Sequence, residues 1–295
     1  MEKFFKVAEH NFKLDMPGGS ELWEELNSYE PFRCEASDDL LFSLKLVERL
    51  PECKAEIIYD EEPEKGMPHI EIARNEKLWR IRVCPPNSRE LCSEVQADSD
   101  FSKAEIAVFT KESSSVFALN NALMILYAFA SAPHGTLEMH ASVVRHAGKG
   151  YLFLGHSGAG KSTHSRQWLK AIPDTLLMND DNPVVRVFDG SRINVYGSPW
   201  SGKTPCYRNI SAPVGGFAQI VQAPHNLLRK MSLVESYAML YSSCSGFKAE
   251  PKIADGLHAT IEKIVAKIGC HTMECLPDED AARVCAEGMG ALNKE

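Results

Sequence analysis

Apolar positions in roughly the first hundred residues predict a small region of mixed α/β or mostly β structure. Residues 4–14, 78–84 and 106–110 have the composition of strands. Residues 38–50 carry apolar side chains at helical spacing, which predicts a helix there. Gly-Gly, Glu-Glu-Pro and Pro-Pro sequences separate these segments. No residue pattern in this region indicates a chemical function.

The longest apolar segment, residues 116–132, predicts a helix that begins after three consecutive serines. Its length is at the lower limit for a bilayer span. Asn120 and Asn121 lie within it, and amides are costly inside a bilayer, so we expect a helix buried in the protein. We assign residues 1–112 to an N-terminal α/β region of unknown role and residues 113–295 to a P-loop region. Within the latter, we place the start of the functional core near residue 133, with the preceding helix packed on it.

A β-hairpin and a helix surround a glycine-rich segment. Apolar residues predict strands at 137–146 and 151–154, joined by an Ala-Gly-Lys-Gly turn. The second strand leads directly into the glycine-rich segment, and helical spacing resumes at Lys161. A short apolar run at 175–178 predicts a further strand, which ends in Asn-Asp-Asp-Asn.

Composition and charge narrow the classes of partner. The 295 residues are 44% hydrophobic and 24% charged, which is ordinary for a globular protein. The formal net charge of -8 argues against non-specific binding of nucleic acid, which requires excess positive charge. The nine cysteines lack the spacing of a disulfide framework, and the first residues lack the pattern of a secretory signal. We therefore expect a cytoplasmic protein without a nucleic-acid or membrane partner.

Residues 155–162 match the G-x-x-x-x-G-K-[ST] pattern of a phosphate-binding loop (P-loop) in full. A predicted strand precedes the match and a predicted helix follows it, which is the context that the motif requires. Its glycines let backbone N–H groups point at the phosphates, Lys161 contacts the β- and γ-phosphates, and the Ser162 hydroxyl is a ligand for Mg²⁺. The residues expected to bind the nucleotide are Gly155, Ser157, Gly158, Ala159, Gly160, Lys161, Ser162 and Thr163.

A site of this kind also requires a carboxylate at the end of a neighbouring strand to hold or orient magnesium. Asp180 and Asp181 follow the predicted strand at 175–178. One would contact the metal and the other would accept the proton of an attacking hydroxyl. The sequence leaves the two roles open, and we place Asp181 with Ser162 at the metal. The alternative is a solvated turn, because Asn and Asp favour turns.

Three further features have both a structural and a functional interpretation. His140 lies in a predicted strand, where a histidine is more often structural than catalytic. Residues 197–208 contain Lys203 and Arg208 and form either a mobile loop that closes on the substrate or an ordinary surface loop. Residues 270–275 contain two cysteines and a histidine, without the second pair of ligands that a structural zinc site requires.

The order of these segments resembles the catalytic domain of HPr kinase/phosphorylase and the wider phosphoenolpyruvate-carboxykinase-like P-loop superfamily. The matching segments are HASVV, YLFLGHSGAGKST, LLMNDD, VYGSPW, PVGGFAQIVQ and SLVESYAMLYSS. The resemblance extends from residue 140 to about residue 245. It implies an α/β (α+β) fold, with a phosphoenolpyruvate-carboxykinase-like P-loop core and a smaller N-terminal α/β region. It also implies that His140 lies near the transferred phosphoryl group, and that the protein forms homo-oligomers.

We therefore predict an ATP-dependent phosphotransferase that moves the γ-phosphoryl group to a serine-type hydroxyl of a protein or a small molecule, with ATP and Mg²⁺ as cofactors. Two alternatives stay open, a nucleotide-sensing module that transfers nothing and a phosphorylase that runs the reverse reaction. His156 and Thr163 replace the aspartate and glutamate usual in HPr kinases, so the acceptor is undetermined. The predicted catalytic residues are His140, Lys161, Asp180 and Asp181.

Overall fold

The chain has a mixed α/β fold with two large mixed β-sheets. The computed structural model describes residues 1–63, 67–110, 113–189, 192–202 and 204–292. Contacts between residues divide the chain into two compact units, Met1–Ser131 and Ala132–Glu295. The α/β class predicted from the sequence is confirmed at this level.

The first unit consists of a sheet and the helices that pack on it. Its helices are α1 (Leu22–Glu25), α2 (Ser113–Ser131) and a 3₁₀-helix at Asn27–Phe32. Its strands are β1 (Glu2–Val7), β2 (His10–Asp15), β3 (Arg33–Cys34), β4 (Phe42–Leu46), β5 (Glu56–Tyr59), β6 (His69–Arg74), β7 (Leu78–Cys84), β8 (Ser93–Asp98) and β9 (Lys103–Val108). They lie in the order β3-β1-β2-β4-β9-β8-β7-β6-β5. Strand β4 pairs in parallel with β2 and with β9.

The segment predicted as one strand at residues 4–14 is a hairpin. Ala8 and Glu9 adopt φ angles of 47° and 63°, and they turn the chain between β1 and β2. Two consecutive residues with positive φ are typical of the tight turns that match the twist of a hairpin. The strands predicted at 78–84 and 106–110 are confirmed as β7 and β9.

The prediction of a helix at residues 38–50 is wrong, because the structure has strand β4 there. Phe42 and Leu44 alternate inward on this strand and are 0% and 2% exposed. The pairing of β4 with a strand on each side outweighs the helical spacing of the apolar residues.

The long apolar helix α2 packs on β7, β8 and β9 of the first unit. The Tyr127 hydroxyl donates a hydrogen bond to the Val7 carbonyl at 3.1 Å. The Tyr29 hydroxyl donates to the Asn120 side chain at 2.7 Å, and the Asn121 amide donates to a carbonyl one turn earlier at 2.9 Å. The two amides that argued against a membrane span therefore have partners inside the protein.

The compact units divide the chain close to the predicted start of the functional core near residue 133, and they group α2 with the first unit. The boundary at 112/113 assigned this helix to the P-loop region, whereas the compact units divide after Ser131. The cause is the burial of the helix against the sheet of the first unit, a set of contacts between distant segments. Ser114–His134 is long and apolar enough to cross a membrane, yet 72% of its 18-residue window is buried inside the protein. Helix α2 is therefore a core helix, as its amides predicted.

The second unit contains the predicted P-loop. Its helices are α3 (Lys161–Ala171), α4 (Leu233–Ser243), α5 (Pro251–Val265), α6 (Glu279–Gly288) and a 3₁₀-helix at Ala132–His134. Its strands are β10 (Thr136–Glu138), β11 (Ala141–His146), β12 (Lys149–Leu154), β13 (Leu176–Asp181), β14 (Val184–Val187), β15 (Ile193–Tyr196), β16 (Ser211–Gln222), β17 (Leu227–Lys230) and β18 (Cys270–Cys275). They lie in the order β10-β14-β15-β16-β12-β11-β13, and β18 pairs with β16 and β17. One core of this unit includes Phe153, Trp168, Ala218, Met273 and Cys285.

The strand predicted at 137–146 is divided into two strands with different partners. Strand β10 pairs with β14, whereas β11 pairs with β12 and β13. Between them, the N–H groups of Met139 and His140 donate to the carbonyls of Pro183 and Ser243, at 2.9 and 2.7 Å. This change of partner places His140 where the ends of several strands meet.

The local elements around the glycine-rich segment agree with the predictions. Strands β11 and β12 form the expected hairpin, with Ala147 and Gly148 at positive φ in its turn. Helix α3 begins at Lys161, directly after the glycine-rich segment. The predicted strand at 175–178 is longer than expected, because β13 continues through the acidic pair to Asp181.

Candidate functional site

The P-loop connects β12 to α3 and leaves the start of the helix open. Gly155 and Gly160 adopt φ angles of 143° and 109°, which favour glycine. A Cβ at Gly155 would also lie 3.2 Å from the carbonyl oxygen of Ile220, in the neighbouring strand. Gly160 caps α3 without a side-chain hydrogen bond, so no side chain caps the N–H groups of the first turn. These groups and the helix dipole favour an anion at this position.

Lys161 is the first residue of α3 and is 8% exposed. Its ammonium group donates hydrogen bonds to the carbonyls of Gly155 at 2.9 Å and His156 at 3.4 Å. It also donates to Nε2 of His140 at 3.0 Å. Burial lowers the pKa of Lys161, while the nearby carboxylates of Asp181 and Asp180 act in the opposite direction. The ammonium group therefore lies between the loop and the acidic pair.

His140 connects the lysine to an aspartate. Its Nε2 atom lies 3.3 Å from Oδ1 of Asp181, and it is the same atom that accepts from Lys161. A neutral imidazole accepts at Nε2 in the tautomer that carries its proton on Nδ1. The hydrogen bond from Lys161 therefore corresponds to that tautomer, and the Asp181 carboxylate lies beside the same nitrogen. The structure thus brings together three of the four predicted catalytic side chains.

The two aspartates have different environments. Asp181 has a φ angle of 137°, a strained value for a residue other than glycine, and its side chain is 39% exposed. Asp180 is 4% exposed and lies opposite Ser142 across β11 and β13, so the two side chains share a face of the sheet. Ser142 Oγ lies 2.6 Å from Ser165 Oγ on α3. Asp180 therefore faces helix α3, whereas Asp181 contacts His140.

The Asp180 carboxylate has the character of a cation ligand. Asp180 is 4% exposed, and its negative charge acts on the nearby Lys161 ammonium group in the direction that raises the pKa of the lysine. A buried carboxylate is unfavourable unless a cation compensates its charge. Ser162, in the first turn of α3, would add a hydroxyl oxygen, and oxygen atoms are the ligands that Mg²⁺ prefers. The donor set therefore fits magnesium.

A segment after β15 holds the acidic pair in place. Ser198 and Trp200 are buried, and the N–H of Gly202 donates to the Asp180 carbonyl at 2.6 Å. The Asn179 amide donates to the Trp200 carbonyl at 2.9 Å and to Ser198 Oγ at 3.2 Å. The surface-loop interpretation of residues 197–208 is therefore wrong for the part up to Trp200. Arg208 is exposed, and Lys203 lies outside the described residues.

Other predicted nucleotide-binding residues lie at the tip of the loop or in the helix. Ser157 and Gly158 are exposed, and Ala159 is buried. Thr163 is half-buried, and its hydroxyl accepts a hydrogen bond from Arg166 at 3.1 Å. Residues at the tip are therefore open to a ligand, while Ala159 supports the loop from inside.

The sequence analysis missed Glu138, the last residue of β10. Glu138 is 1% exposed, and neither oxygen of its side chain has a hydrogen-bond partner among the described residues. Burial, with a smaller effect from the charge of Asp181, raises the pKa of Glu138 well above the ordinary value, because both disfavour a negative charge there. In the sequence, the signal that could have identified Glu138 was its position two residues before His140. Its burial could not be predicted in this way, because it depends on contacts with distant residues.

The cysteines at 270 and 275 do not form a metal site. They lie five positions apart on β18, and residues an odd number apart on a strand face opposite sides. Burial raises the pKa of both thiols to about 11. Among the described residues, no group of three or more His, Cys, Asp or Glu side chains is arranged to hold a metal.

The fold and the site together define a mixed α/β protein with a P-loop sequence between a strand and a helix. No model of a known protein family matches the sequence, and no curated protein matches it. Among solved structures, the chain is weakly similar to the HPr(Ser) kinase/phosphatase from Coxiella burnetii. The identity is 11% and the TM-score 0.31, over 53% of this chain and 99% of that chain. A likeness at this level decides neither fold nor activity.

Proposed function

We propose that the protein is an ATP-dependent phosphotransferase that moves the γ-phosphoryl group to a hydroxyl of a protein or a small molecule. One observation carries the proposal: at the P-loop, Lys161 contacts His140, and His140 contacts Asp181. A phosphate cradle beside a histidine and a carboxylate provides the parts that hydroxyl phosphorylation requires.

The phosphates bind through backbone and side-chain donors. The N–H groups at the start of α3 and the turn of the loop hold the β-phosphate. Lys161 leaves the carbonyls of Gly155 and His156 and contacts the β- and γ-phosphates. Because burial has already removed much of its water, its charge acts in a medium of low polarity. Lys161 therefore stabilises the charge that develops on the transferred group.

The chemical step balances without covalent participation of the protein. The acceptor oxygen forms a bond to the γ-phosphorus, the bond from that phosphorus to the β–γ bridging oxygen breaks, and ADP leaves. Asp181 takes the proton of the hydroxyl, and His140 orients the carboxylate. Asp181 suits this role because its side chain is partly exposed and lies next to His140.

Magnesium would be held by Asp180 and Ser162, which exchanges the roles that we first gave the two aspartates. The buried Asp180 carboxylate faces α3, on which Ser162 lies. Bound there, the ion supplies charge neutralisation on the β- and γ-oxygens.

The test is transfer from radiolabelled ATP with Mg²⁺ to free serine, to sugars and to the proteins of a cell lysate. We expect label in one acceptor class with the wild-type chain and none with Lys161→Ala. Lys161→Ala should also weaken ATP binding by at least ~100-fold in calorimetry. The matched control is Lys149→Ala, which replaces an exposed lysine at the start of β12 and should behave as wild type.

Two results would contradict the proposal. Tight ATP binding without transfer to any acceptor would favour a nucleotide-sensing module. Transfer of the phosphoryl group from a phosphorylated acceptor to inorganic phosphate, which yields pyrophosphate and the free hydroxyl, with no forward transfer, would favour a phosphorylase. Assays in both directions on the same preparation distinguish the three functions.

A further inference from the structure

A cavity of about 560 Å³ lies beside the P-loop. Its walls are formed by residues 158–160 of the loop, by Thr163 in the first turn of α3, and by the chain at the ends of β16 and β18. A volume of this size is typical of small-molecule sites. Of the described residues that line it, none belongs to the contacts of Lys161 with His140 and Asp181. The cavity and the polar contacts thus occupy different parts of the loop.

The described wall of this cavity is neutral and mostly apolar. The described lining contains no Asp, Glu, Lys or Arg side chain, and burial raises the pKa of the Cys275 thiol to about 11, so this thiol is uncharged at neutral pH. A phosphate or carboxylate would lose hydration here without gaining a charged partner, whereas a flat uncharged heterocycle would lose little. The apolar residues of the wall are Ile220, Ala223, Pro224, Leu276 and Pro277.

The wall is connected directly to the P-loop. The Gln222 side chain donates a hydrogen bond to the Gly158 carbonyl at 3.0 Å. The N–H of Ala223 donates to the Cys275 carbonyl at 3.1 Å, which joins the ends of β16 and β18. A ligand that spans the loop and the cavity would therefore meet one continuous, hydrogen-bonded surface.

We propose that this cavity holds the base and sugar of the nucleotide whose phosphates lie on the P-loop, an inference that rests on the proposed function. In a P-loop, the lysine marks the β- and γ-phosphates. Because Lys161 contacts His140, the γ-phosphate lies at the end of the loop with Asp181. The nucleoside is attached to the other end of the phosphate chain, and this end lies where the cavity begins. The acceptor hydroxyl approaches from the His140 side, outside the cavity.

The test compares two ligands that share a triphosphate and differ in the nucleoside. Calorimetry measures the affinity of Mg²⁺–ATP and of Mg²⁺–tripolyphosphate for the wild-type chain and for Ala223→Trp, in which an indole fills the cavity. We expect Ala223→Trp to weaken the binding of ATP by at least ~30-fold. The affinity for tripolyphosphate should stay within ~2-fold of the wild-type value. Val221→Trp is the matched control, because Val221 is 39% exposed and does not line the cavity.

A second variant covers the case in which Ala223→Trp does not fold. Leu276→Ala removes side-chain volume from a partly exposed residue of the wall and should weaken ATP by about 5-fold without changing tripolyphosphate binding. An equal loss of affinity for ATP and tripolyphosphate would overturn the proposed base site, and so would an unchanged ATP affinity in the folded variants. Either result would leave the P-loop proposal standing. A wild-type chain that binds neither ligand would overturn both.

Discussion

A single nitrogen atom, Nε2 of His140, lies between the ammonium group of Lys161 and the carboxylate of Asp181. It accepts a hydrogen bond from the lysine, because an ammonium group can only donate. If phosphate oxygens bind Lys161 as proposed, Nε2 loses this donor and keeps its contact with the Asp181 carboxylate.

Replacement of the aspartates separates binding from turnover. Asp181→Asn should lower kcat by about 10²- to 10⁴-fold and leave the ATP affinity within ~3-fold, because an amide cannot accept the hydroxyl proton. Asp180→Asn should instead raise the Mg²⁺ concentration required for half-maximal rate. Steady-state kinetics at varied Mg²⁺ measure both effects, with the exposed Asp174→Asn as the control. Wild-type rates in both variants would exclude a catalytic role for the acidic pair.

Glu138 makes the stability of the unliganded protein depend on pH. Its folded pKa is well above the ordinary value of 4.5, so above about pH 4.5 the folded chain keeps a proton that the unfolded chain releases. Stability therefore falls as pH rises from that value towards the folded pKa, by up to about 1.4 kcal/mol per pH unit. Glu138→Gln keeps a neutral group of the same shape and removes this loss.

Urea unfolding of wild type and Glu138→Gln between pH 4 and pH 8 measures this effect. The difference in unfolding free energy should be smallest near pH 4 and should grow in favour of the glutamine variant as pH rises. Curves that stay parallel over this range would show that Glu138 is ionised in the folded state.

At the level of elements, the site depends on the end of β13 and the segment that follows β15. Asp181 forms an isolated bridge with Ser201, and Gly202 lies against the Asp181 side chain. A non-glycine residue in the region of φ that Asp181 occupies costs about 1–3 kcal/mol and persists only where the surroundings enforce it. Here the hydrogen bonds of Asn179 and Gly202 provide that constraint.

Asn179→Ala tests this constraint. Loss of the amide leaves the buried Trp200 carbonyl without this donor, so the unfolding free energy should fall by about 1–3 kcal/mol. When the segment after β15 is held less firmly, Asp181 can relax towards ordinary φ values. The rate of phosphoryl transfer should therefore fall further than the affinity for ATP. Calorimetric melting and kinetics measure the two effects. Asn194→Ala, on β15, is the control, and equal effects of both variants would contradict the role of Asn179.

At the level of the whole molecule, every described residue of the proposed site belongs to the second unit. We therefore expect the chain from Ala132 to Glu295, expressed alone, to fold and to bind Mg²⁺–ATP with a dissociation constant within ~3-fold of the full chain. Circular dichroism and calorimetry check this, with Lys161→Ala in the same shortened chain as the control. A folded second unit without ATP affinity would show that the site is incomplete in this unit. The cytoplasmic location and homo-oligomeric state stay predictions.

The amino-acid sequence by itself determined the features that depend on neighbouring residues. The hairpin, the P-loop pattern, helix α3 and the strand before the acidic pair follow from local spacing, turn residues and glycine positions. The amides in α2 likewise predicted that this helix is buried, because their hydrogen-bonding needs are intrinsic.

Only the tertiary structure decided which distant segments meet. It assigned α2 to the first unit, replaced the helix at 38–50 by strand β4, and divided the strand at 137–146 so that His140 reaches Asp181. It also buried Glu138 and formed the cavity beside the P-loop. Each of these results depends on strand pairing and burial between residues far apart in the chain, and such contacts leave little trace in local periodicity.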